Sequence, residues 1–553
     1  MKSIRVEQLK YKYPGSDHFV LDELSFTVER GDFIGIAGEN GAGKTTLCYA
    51  LSGLVPHFFK GSYGGNVFIG DLEVYTHSMS EITARVGLVF DNPFSQMTGA
   101  KYTVYDEIAF GLENLGVPRE EMHRRIQKCM KQLKIEELWN VNPFYLSGGQ
   151  LQRVAIASVM AMKPDILILD EPTSQLDPQG AEEVFQVVEQ LSAQGVTIMM
   201  AEQKIEKLAA YSDRILLMNK GKLICEGTPA EIFSRDDLDD YGIEPPVYTS
   251  AARSLKFRQH TPANLPVVLG EMPTFGLEKL SLPFPHEEAV DVKTAEIVVS
   301  DLSFSYEKDS EIIKGINLKL SGKPLAIIGQ NGAGKTTLVK LLKALVKPQK
   351  GEITVDGVKT TDTTAAKLAA VIGLIFQNPN DQIFKSKVLD EVMFGPLNIG
   401  QSPETAKANA LKMLDRVGMA SKKDENPYDL SLAERKLVAV ASVLAMDTKV
   451  VIFDEPTIGQ DAMGKVKLSL LINELYAQGK LVVCILHDMD FVAETFEHTV
   501  ILGGGRVLFN GETRTAFSQD ELLREAGLEQ PHVTQLARRM GYTGILLKKS
   551  ELH

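Results

Sequence analysis

The sequence predicts an α/β protein built from two similar domains in tandem, each organised around a largely parallel β-sheet. Three observations support this prediction. A chain of 553 residues with 44% hydrophobic residues is large enough for two to four domain cores. Long stretches of its first half recur in its second half. In both halves, apolar runs of strand length alternate with helical patterns.

The internal duplication is the strongest of these signals. GENGAGKTTL at 38–47 recurs as GQNGAGKTTL at 329–338, and VGLVFDNPFSQM at 86–97 recurs as IGLIFQNPNDQI at 372–383. The spacing between repeated segments is similar in the two halves, so each half is expected to fold as a domain of about 250 residues.

The tails of the two halves set the domain boundaries. GIEPPVYTSAARSL at 242–255 resembles GLEQPHVTQLARRM at 527–540. The intervening stretch is rich in proline and glycine and has no clear periodicity, which is typical of a linker. We predict a first domain over 1–255, a linker over 256–294 and a second domain over 295–553.

The elements of each domain follow from local patterns. The apolar runs DFIGIAG and PLAIIG lead into glycine-rich loops and predict one buried strand in each half. DILILDE and VTIMMAE predict further buried strands in the first half, and VYDEIAFGLENL predicts a helix. Strands that alternate with helices indicate a parallel sheet.

Composition excludes several classes of function. The formal net charge of −13 argues against broad binding to nucleic acid backbones, which needs clustered lysine and arginine. The four cysteines are far apart in the sequence, so we expect neither a disulfide framework nor a structural zinc site. This cysteine usage indicates a protein of the reducing cytosol. The first residues have no signal-peptide pattern, and no uninterrupted stretch of 18 apolar residues occurs. Membrane association is therefore expected to be peripheral.

Two complete Gly-x-x-x-x-Gly-Lys-Thr motifs predict phosphate-binding loops. Their glycines allow backbone N–H groups to surround phosphates, and each loop precedes a helix whose N-terminus favours anions. Lys44 and Lys335 are expected to contact the β- and γ-phosphates, while Thr45 and Thr336 are expected to bind Mg²⁺. The predicted nucleotide-binding residues are Gly38, Glu39, Asn40, Gly41, Ala42, Gly43, Lys44, Thr45 and Thr46, and Gly329, Gln330, Asn331, Gly332, Ala333, Gly334, Lys335, Thr336 and Thr337.

Paired carboxylates end a buried strand in each half, within LILDEP and VIFDEP. Asp170 and Asp454 suit the role of Mg²⁺ ligands. Glu171 and Glu455 suit the orientation or deprotonation of an attacking water. An acidic strand end that merely faces solvent is the alternative, and the preceding phosphate loops make it the weaker one.

In this order and combination, the motifs resemble a tandem pair of ABC-type ATPase domains, a resemblance that covers the chain apart from its linker. It implies that ATP and Mg²⁺ bind to a P-loop fold that adds an antiparallel β part and a helical subdomain to the parallel sheet. By the same resemblance, Tyr13 and Tyr306 match an aromatic residue that stacks on adenine, and the equally weighted alternative is that each is an ordinary core tyrosine. Asp177 and Asp461 match the D-loop aspartate, which follows the Walker B glutamate. The remaining matches are the signature residues Ser147, Gly148, Gly149 and Gln150, the Q-loop and metal residue Gln377, and the switch residue His487.

The resemblance further implies that the two halves pair within one chain, so that each ATP lies between the phosphate loop of one half and the signature of the other. On this arrangement the Lys335 site is complete, with Glu455 and His487 as catalytic residues. The Lys44 site keeps Glu171 but departs from the family pattern at Asp91, Gln203, Leu432 and Ala433. We therefore predict one hydrolytic site and one site that mainly holds ATP.

A narrower resemblance concerns the energy-coupling ATPases of ECF-type vitamin and metal importers. It rests on FQNPNDQ at 376–382, on the segments VYDEIAFG and VLDEVMFG, and on the tails. It implies a translocase on the cytoplasmic face of the cell membrane, with an integral coupling subunit and a separate substrate-binding membrane subunit as partners. Gln96 and Gln382 would then lie near a partner-binding surface, unless they only cap a loop. A conventional double-ATPase sugar importer subunit and a soluble tandem ABC protein acting on ribosomes are the alternatives.

Overall fold

The computed structural model describes residues 2–174, 176–255, 264–274, 292–306 and 311–552. The chain forms two compact units, residues 1–275 and 276–551, which we call the first and the second unit. Each unit is described by itself.

The first unit alternates strands and helices along most of its length. Its strands are β1 (Lys2–Lys12), β2 (Leu21–Glu29), β3 (Phe33–Ala37), β4 (Ser62–Ile69), β5 (Leu72–Glu73), β6 (Val86–Val89), β7 (Ile166–Asp170), β8 (Thr197–Ala201), β9 (Arg214–Asn219) and β10 (Lys222–Gly227). Its helices are α1 (Lys44–Leu51), α2 (Leu54–His57), α3 (Met79–Thr83), α4 (Val104–Asn114), α5 (Arg119–Gln132), α6 (Gly148–Met162), α7 (Pro178–Ala193), α8 (Ile205–Tyr211), α9 (Pro229–Phe233) and α10 (Val247–Ser254).

The second unit repeats this order. Its strands are β11 (Ile297–Ser305), β12 (Glu311–Leu320), β13 (Leu325–Ile328), β14 (Lys350–Val355), β15 (Val358–Lys359), β16 (Ile372–Ile375), β17 (Val450–Asp454), β18 (Leu481–Leu486), β19 (His498–Gly503) and β20 (Arg506–Glu512). Its helices are α11 (Lys335–Leu342), α12 (Ala365–Leu368), α13 (Val388–Asn398), α14 (Pro403–Arg416), α15 (Leu432–Leu444), α16 (Ala462–Ala477), α17 (Met489–Thr495), α18 (Thr513–Ser518), α19 (Asp520–Glu525) and α20 (His532–Arg539).

Each unit contains two sheets. The larger sheet has the strand order β10-β9-β3-β8-β7-β6 in the first unit and β16-β17-β18-β13-β19-β20 in the second. Its strands pair in parallel except at the β9–β10 and β19–β20 hairpins. All residues of the central strands β3, β7 and β8 are buried. This burial explains their uninterrupted apolar sequences.

The smaller sheet of each unit is antiparallel, with orders β2-β1-β4-β5 and β12-β11-β14-β15. A separate group of three helices, α4 to α6 in the first unit and α13 to α15 in the second, packs together. The predicted fold class, with a parallel core, an antiparallel part and a helical subdomain in each half, is confirmed. None of the described helices combines the length and the apolar character that a membrane span requires.

The first unit extends past the boundary predicted at residue 255. Leu265, Val267 and Met272, all within the predicted linker, are buried. Thr249 on α10 donates a hydrogen bond from Oγ1 to the Pro266 carbonyl oxygen (2.7 Å), which fastens the segment to the unit. The segment 264–274 therefore belongs to the fold because its few apolar residues are buried, despite its proline and glycine content. The rest of the predicted linker, 256–263 and 275–291, lies outside the described residues.

The second unit also contains a half-buried lysine, Lys343, just after α11. Nζ of Lys343 donates to the Ile372 carbonyl oxygen. Burial lowers the pKa of Lys343 from 10.5 to about 8. Between these two pH values the unfolded chain binds more protons at this residue than the folded chain does. The free energy of unfolding therefore gains up to about 3 kcal/mol from this group as the pH rises through that window.

We expect Lys343→Ser to raise the free energy of unfolding at pH 7.5. Serine is the residue at the equivalent position of the first unit, Ser52. The advantage over the unmodified chain should decrease as the pH rises from 8 towards 10.5 and beyond, because above its ordinary pKa the lysine becomes neutral in both states. Urea unfolding at a series of pH values measures the difference. A difference that does not change with pH would show that Lys343 stays charged in the folded protein.

Candidate functional site

The glycine-rich loop that follows β3 or β13 is the first component of each site. Gly43 and Gly334 precede α1 and α11 in the left-handed conformation, with φ of 100° and 98°. At Gly38 an added Cβ would lie 2.5 Å from the Met218 carbonyl oxygen, so this position has no space for a side chain. The predicted phosphate loops therefore have backbone requirements that glycine alone meets without strain.

The lysine of each motif folds back over its own loop. Lys44 Nζ donates to the carbonyl oxygens of Gly38 (2.8 Å) and Glu39 (3.1 Å). Lys335 Nζ makes the same contacts with Gly329 (2.8 Å) and Gln330 (2.9 Å). Both ammonium groups thus lie inside the curve of the loop, where a phosphate would compete with the carbonyl oxygens for them.

The strand-end aspartates have the properties of cation ligands. Both carboxylate oxygens of Asp170 and Oδ1 of Asp454 are buried and have no hydrogen-bond partner among the described residues. Burial, with Asp91 and Glu171 nearby, raises the pKa of Asp170 to about 7. Burial and Glu455 raise the pKa of Asp454 to about 7. Buried carboxylates without partners are costly, and a divalent cation would satisfy them, so these residues fit a Mg²⁺ site.

The glutamate after each aspartate adopts a strained backbone conformation. Glu171 and Glu455 have φ of 46° and 50°, in the left-handed region that non-glycine residues rarely occupy. The Glu171 amide donates to the Ala201 carbonyl oxygen (2.8 Å), and the Glu455 amide donates to that of Ile485 (3.1 Å). The neighbouring strand thus holds both glutamates in a conformation of the kind found at functional sites.

In the second unit, Glu455 lies beside a histidine. His487 Nε2 is 2.8 Å from Glu455 Oε1, which is ion-pair distance, and both side chains are nearly buried, with 13% and 12% exposure. Burial alone would raise the pKa of Glu455, but His487 and Lys335 outweigh it, so the pKa falls below its usual value. The second unit therefore holds Glu455 as a carboxylate beside the phosphate loop.

In the first unit, the corresponding glutamate has a neutral neighbour. Gln203 Nε2 donates to Glu171 Oε1 (2.7 Å) and to Asn40 Oδ1 (3.1 Å). Burial, with Glu202 adding to it, raises the pKa of Glu171 to about 7, and Lys44 offsets this only in part. The two units thus differ in charge at the same place in the fold, as the replacement of histidine by glutamine predicts.

Asp91 adds a further carboxylate to the first unit at the position of Gln377. Its Oδ1 accepts from the Asn92 amide (2.7 Å), and burial raises its pKa. Asp91 also contributes to the raised pKa of Asp170. Aspartate at position 91 therefore adds negative charge around the first phosphate loop. The equivalent residue of the second unit, Gln377, is neutral and adds none.

Sequence comparison alone did not identify Glu202 as part of this site. It is 3% exposed, and its Oε2 accepts from Thr173 Oγ1 (2.7 Å). The signal was present, because an apolar strand ends in glutamate at 202 where its repeat has Leu486. Aligning the two halves residue by residue would have found it.

The signature segments begin two similar helices. Ser147 caps α6 with Gln150, and Ser431 caps α15 with Glu434, each through a reciprocal pair of side-chain contacts. Leu432 occupies the first turn of α15 with 45% of its side chain exposed, where α6 has Gly148. The helix start is therefore intact in the second unit, but a branched side chain covers it.

Gln96 and Gln382 have clear structural roles. Gln382 Nε2 donates to the Ala439 carbonyl oxygen (2.9 Å) and to Ser442 Oγ (3.0 Å), and its Oε1 accepts from the Phe376 amide (3.1 Å). Gln96 makes the corresponding contacts with Ala155, Ser158 and Phe90. Of the two interpretations of these glutamines, the structure supports a loop brace that connects the segment after β6 or β16 to the signature helix.

The other predicted residues also lie in place. Asp177 and Asp461 cap α7 and α16, accepting from the amides of Gly180 and Gly464 at 2.8 Å. Tyr13 is half-buried, whereas Tyr306 is 53% exposed. Each unit thus brings its phosphate loop, aspartate, glutamate and switch residue together, while its signature begins a separate helix.

Comparison with known proteins finds a matching family model and several similar chains. A protein-family model described as ABC transporter matches residues 21–174 and 313–458. A protein of Methanosarcina acetivorans named as an ABC transporter ATP-binding protein is 36% identical over 98% of this chain and 91% of its own. One of Caldanaerobacter subterraneus subsp. tengcongensis, with the same description, is 36% identical over 98% of this chain and 97% of its own. A solved structure described as cbiO1 from Clostridium perfringens, part of the ABC transporter complex cbiONQ, is 31% identical and covers 45% of this chain and 100% of its own, with a TM-score of 0.39.

Proposed function

Because this chain belongs to the ABC transporter family, we propose that it is the ATP-hydrolysing energy-coupling subunit of a membrane importer of the ECF type. The family establishes an ABC ATPase with two ATP-binding cassettes. The contact between His487 and Glu455, with its neutral counterpart in the first unit, is the observation that supports hydrolysis in one site more than in the other.

Glu455 is proposed as the residue that orients or deprotonates the attacking water. It is a carboxylate at the end of β17, held next to the phosphate loop of Lys335. His487 lies at ion-pair distance from that carboxylate and, together with Lys335, holds its pKa below the usual value. Gln377 completes the set of second-unit residues with a neutral amide. Hydrolysis of ATP to ADP and phosphate is assigned to these residues.

Mg²⁺ is proposed to bind Thr45 and Asp170 in the first unit, and Thr336, Gln377 and Asp454 in the second. When bound, the cation neutralises the charge of the β- and γ-phosphates. The aspartates support this assignment because their buried oxygens lack other partners among the described residues.

The signatures are proposed to act across the two halves, as the family resemblance implies. The Lys335 site would then be completed by Ser147, Gly148, Gly149 and Gln150, whose glycines leave backbone amides accessible to a phosphate. The Lys44 site would instead receive Leu432 and Ala433. The exposed Leu432 side chain supports weaker phosphate contact by this second signature.

The membrane role is proposed from the repeated sequence features after β6 and β16 and from the tails. The tails fold alike in the two units. The amide at the start of α10 (Val247) donates to Glu206 Oε1 (3.3 Å), and that at the start of α20 (His532) donates to Asp490 Oδ1 (2.7 Å). We propose a location on the cytoplasmic face of the cell membrane, an integral coupling subunit as direct partner and a separate membrane subunit that selects the substrate.

Two other functions make different predictions. A sugar importer subunit would share the ATPase sites, but the sequences of the tails fit the ECF type better. A tandem ABC protein that acts on ribosomes would be expected to carry clustered basic residues, and the net charge of −13 argues against it.

Purification of the full-length chain from its native membranes in mild detergent tests the membrane role. We expect two integral membrane proteins to co-purify, one common to all preparations and one that binds a small substrate. Co-purification of ribosomal subunits, without membrane proteins, would contradict the proposal. A periplasmic sugar-binding protein in the complex would instead favour the sugar-importer alternative.

A further inference from the structure

In each unit, the first glycine of the tail lies against the phosphate loop. This glycine is Gly527 in the second unit and Gly242 in the first, and the loop residue that it meets is Gln330 or Glu39. At Gly527 an added Cβ would overlap Nε2 and Cδ of Gln330 and would lie 2.6 Å from its Cγ. At Gly242 it would lie 3.0 Å from Oε2 and 3.1 Å from Cβ of Glu39. The second residue of each loop motif therefore packs directly on the backbone of the tail.

This loop residue links the tail to the phosphate-binding lysine. In the second unit the Gln330 carbonyl oxygen accepts from Lys335 Nζ (2.9 Å) and from the Ala333 amide (3.2 Å). The side chain of the same residue packs on Gly527. A shift of Gln330 away from the tail would therefore also move the carbonyl oxygen that holds Lys335. The tail contact is thus placed to affect how the loop binds a triphosphate.

The turn that carries Gly527 is fixed by contacts of its own. It ends α19 with two hydrogen bonds, from the Gly527 amide to the Arg524 carbonyl oxygen (3.1 Å) and from the Leu528 amide to that of Leu523 (2.9 Å). Gly527 has φ of 59°, and its neighbours Ala526 and Leu528 are buried. The position of the turn is therefore set by its own helix end and by the core, and the loop packs against it.

A second contact attaches the tail to the segment that follows the switch residue. The His532 amide at the start of α20 donates to Asp490 Oδ1 (2.7 Å), and His532 Nδ1 lies 2.5 Å from Asp490 Oδ2. Asp490 belongs to α17, which begins two residues after His487. The tail of the second unit thus joins the phosphate loop to the helix after the switch residue.

We propose that the tail of the second unit positions its phosphate loop, with Gly527 and Gln330 as the positioning residues. The turn holds the Gln330 side chain, and the Gln330 carbonyl oxygen holds Lys335 where it would meet the β- and γ-phosphates. The inference rests on the proposed function only in taking the Lys335 loop as an ATP site. It adds a role in nucleotide affinity to the membrane role proposed for the tails.

Gly527→Ala in the full chain tests the contact directly. A Lys44→Ala background weakens binding in the first unit, so that calorimetric titration with AMP-PNP, a non-hydrolysable ATP analogue, reports on the Lys335 site. We expect Gly527→Ala to raise the Kd for AMP-PNP about tenfold, because the added methyl group displaces Gln330 and with it the contact to Lys335. Gln330→Ala should raise the Kd less, about threefold, because it removes the contact without pushing the loop away.

The double variant separates a direct contact from a general loss of structure. In the Gln330→Ala chain, adding Gly527→Ala should change the Kd less than about twofold, because the side-chain atoms that the methyl group would meet are gone. If Gly527→Ala raised the Kd equally with and without Gln330→Ala, the proposal would be overturned, since the effect would not pass through Gln330.

Gly418→Ala is the matched control. Gly418 ends α14 with the same pair of hydrogen bonds and has φ of 74°, but an added Cβ would meet no described atom within 4 Å beyond its chain neighbours. Gly418→Ala and Gly527→Ala should both lower the melting temperature, because alanine is strained in this conformation. The Kd should change in Gly527→Ala alone.

Two further results would overturn the proposal. An unchanged Kd in Gly527→Ala would show that the tail does not position the loop, and an equal rise in Gly418→Ala would show that loss of stability is enough to weaken binding. If the Lys44→Ala chain did not bind AMP-PNP at all, the assignment of the Lys335 loop as an ATP site would fail as well. These measurements need neither hydrolysis nor a membrane partner, so a failure of the proposed transport role would be seen separately.

Discussion

Glu455→Gln is expected to lower steady-state ATP turnover by the assembled complex about 100-fold or more. Glutamine keeps the size of the side chain but cannot accept a proton from water. Glu455 is nearly buried and directly follows β17, and His487 and Lys335 hold its pKa below the usual value, so it is available as a carboxylate. Phosphate release from purified complex in detergent or lipid measures the effect.

Glu171→Gln is the matched control because it makes the same change at the duplicated position. Turnover should fall less than about threefold, since Glu171 is paired with a neutral glutamine and is not assigned the main hydrolytic role. ATP binding should persist in both variants. A larger loss from Glu171→Gln than from Glu455→Gln would reverse the assignment of the two sites.

The second large effect is expected at the switch residue. His487→Ala should reduce turnover about tenfold or more, because it removes the imidazole that lies 2.8 Å from the buried Glu455 carboxylate and helps to hold the pKa of that carboxylate low. Glu455 would then be buried with less compensating charge, next to a phosphate that is itself negative. His487→Gln, which copies the first unit, should lose nearly as much. The measurement is again phosphate release, accompanied by thermal unfolding to confirm an intact fold.

Gln203→Ala provides the comparison for the switch residue. It removes the amide that donates to Glu171 and Asn40, yet turnover should change less than about twofold. If Gln203→Ala were as harmful as His487→Ala, the first unit would have to contribute equally to hydrolysis. The difference between the two switch residues would then have no mechanistic meaning.

The sequence was sufficient for features that depend on neighbouring residues. Apolar runs such as DILILDE became fully buried strands, and the glycine-rich motifs formed left-handed turns before helices. The duplication helped further, because each motif had a second copy against which its position could be checked. The differences at Asp91 and Gln203 were visible for the same reason.

Features that depend on contacts between distant residues were not predictable in this way. The segment 264–274 has linker-like composition, but Leu265, Val267 and Met272 find buried positions against the first unit. The sequence leaves open whether Gln96 and Gln382 lie near a partner-binding surface or cap a loop, because their hydrogen bonds to α6 and α15 join residues that are distant in the chain. The strained conformation of Glu171 and Glu455 is set by the neighbouring strand, and no local pattern indicates it.

The two phosphate loops are nearly identical in backbone and lysine contacts, so the asymmetry lies in the residues around them. The first unit adds Asp91 and Glu202 and lacks a histidine at position 203. It also has Phe59, whose ring stacks on Tyr49 and contacts Tyr13 edge to face. Under the proposed function, we expect these differences to favour binding without rapid hydrolysis in the first unit, and hydrolysis in the second.

A pulse–chase measurement of bound nucleotide tests this central claim most directly. The assembled complex is loaded with radiolabelled ATP during steady-state turnover and then mixed with excess unlabelled ATP. We predict a fraction of about one intact labelled ATP per chain that leaves more slowly than the enzyme turns over. This slow fraction should disappear in Lys44→Ala and remain in Lys335→Ala. Release of all label at the turnover rate, or a slow fraction that disappears in Lys335→Ala instead, would contradict the account.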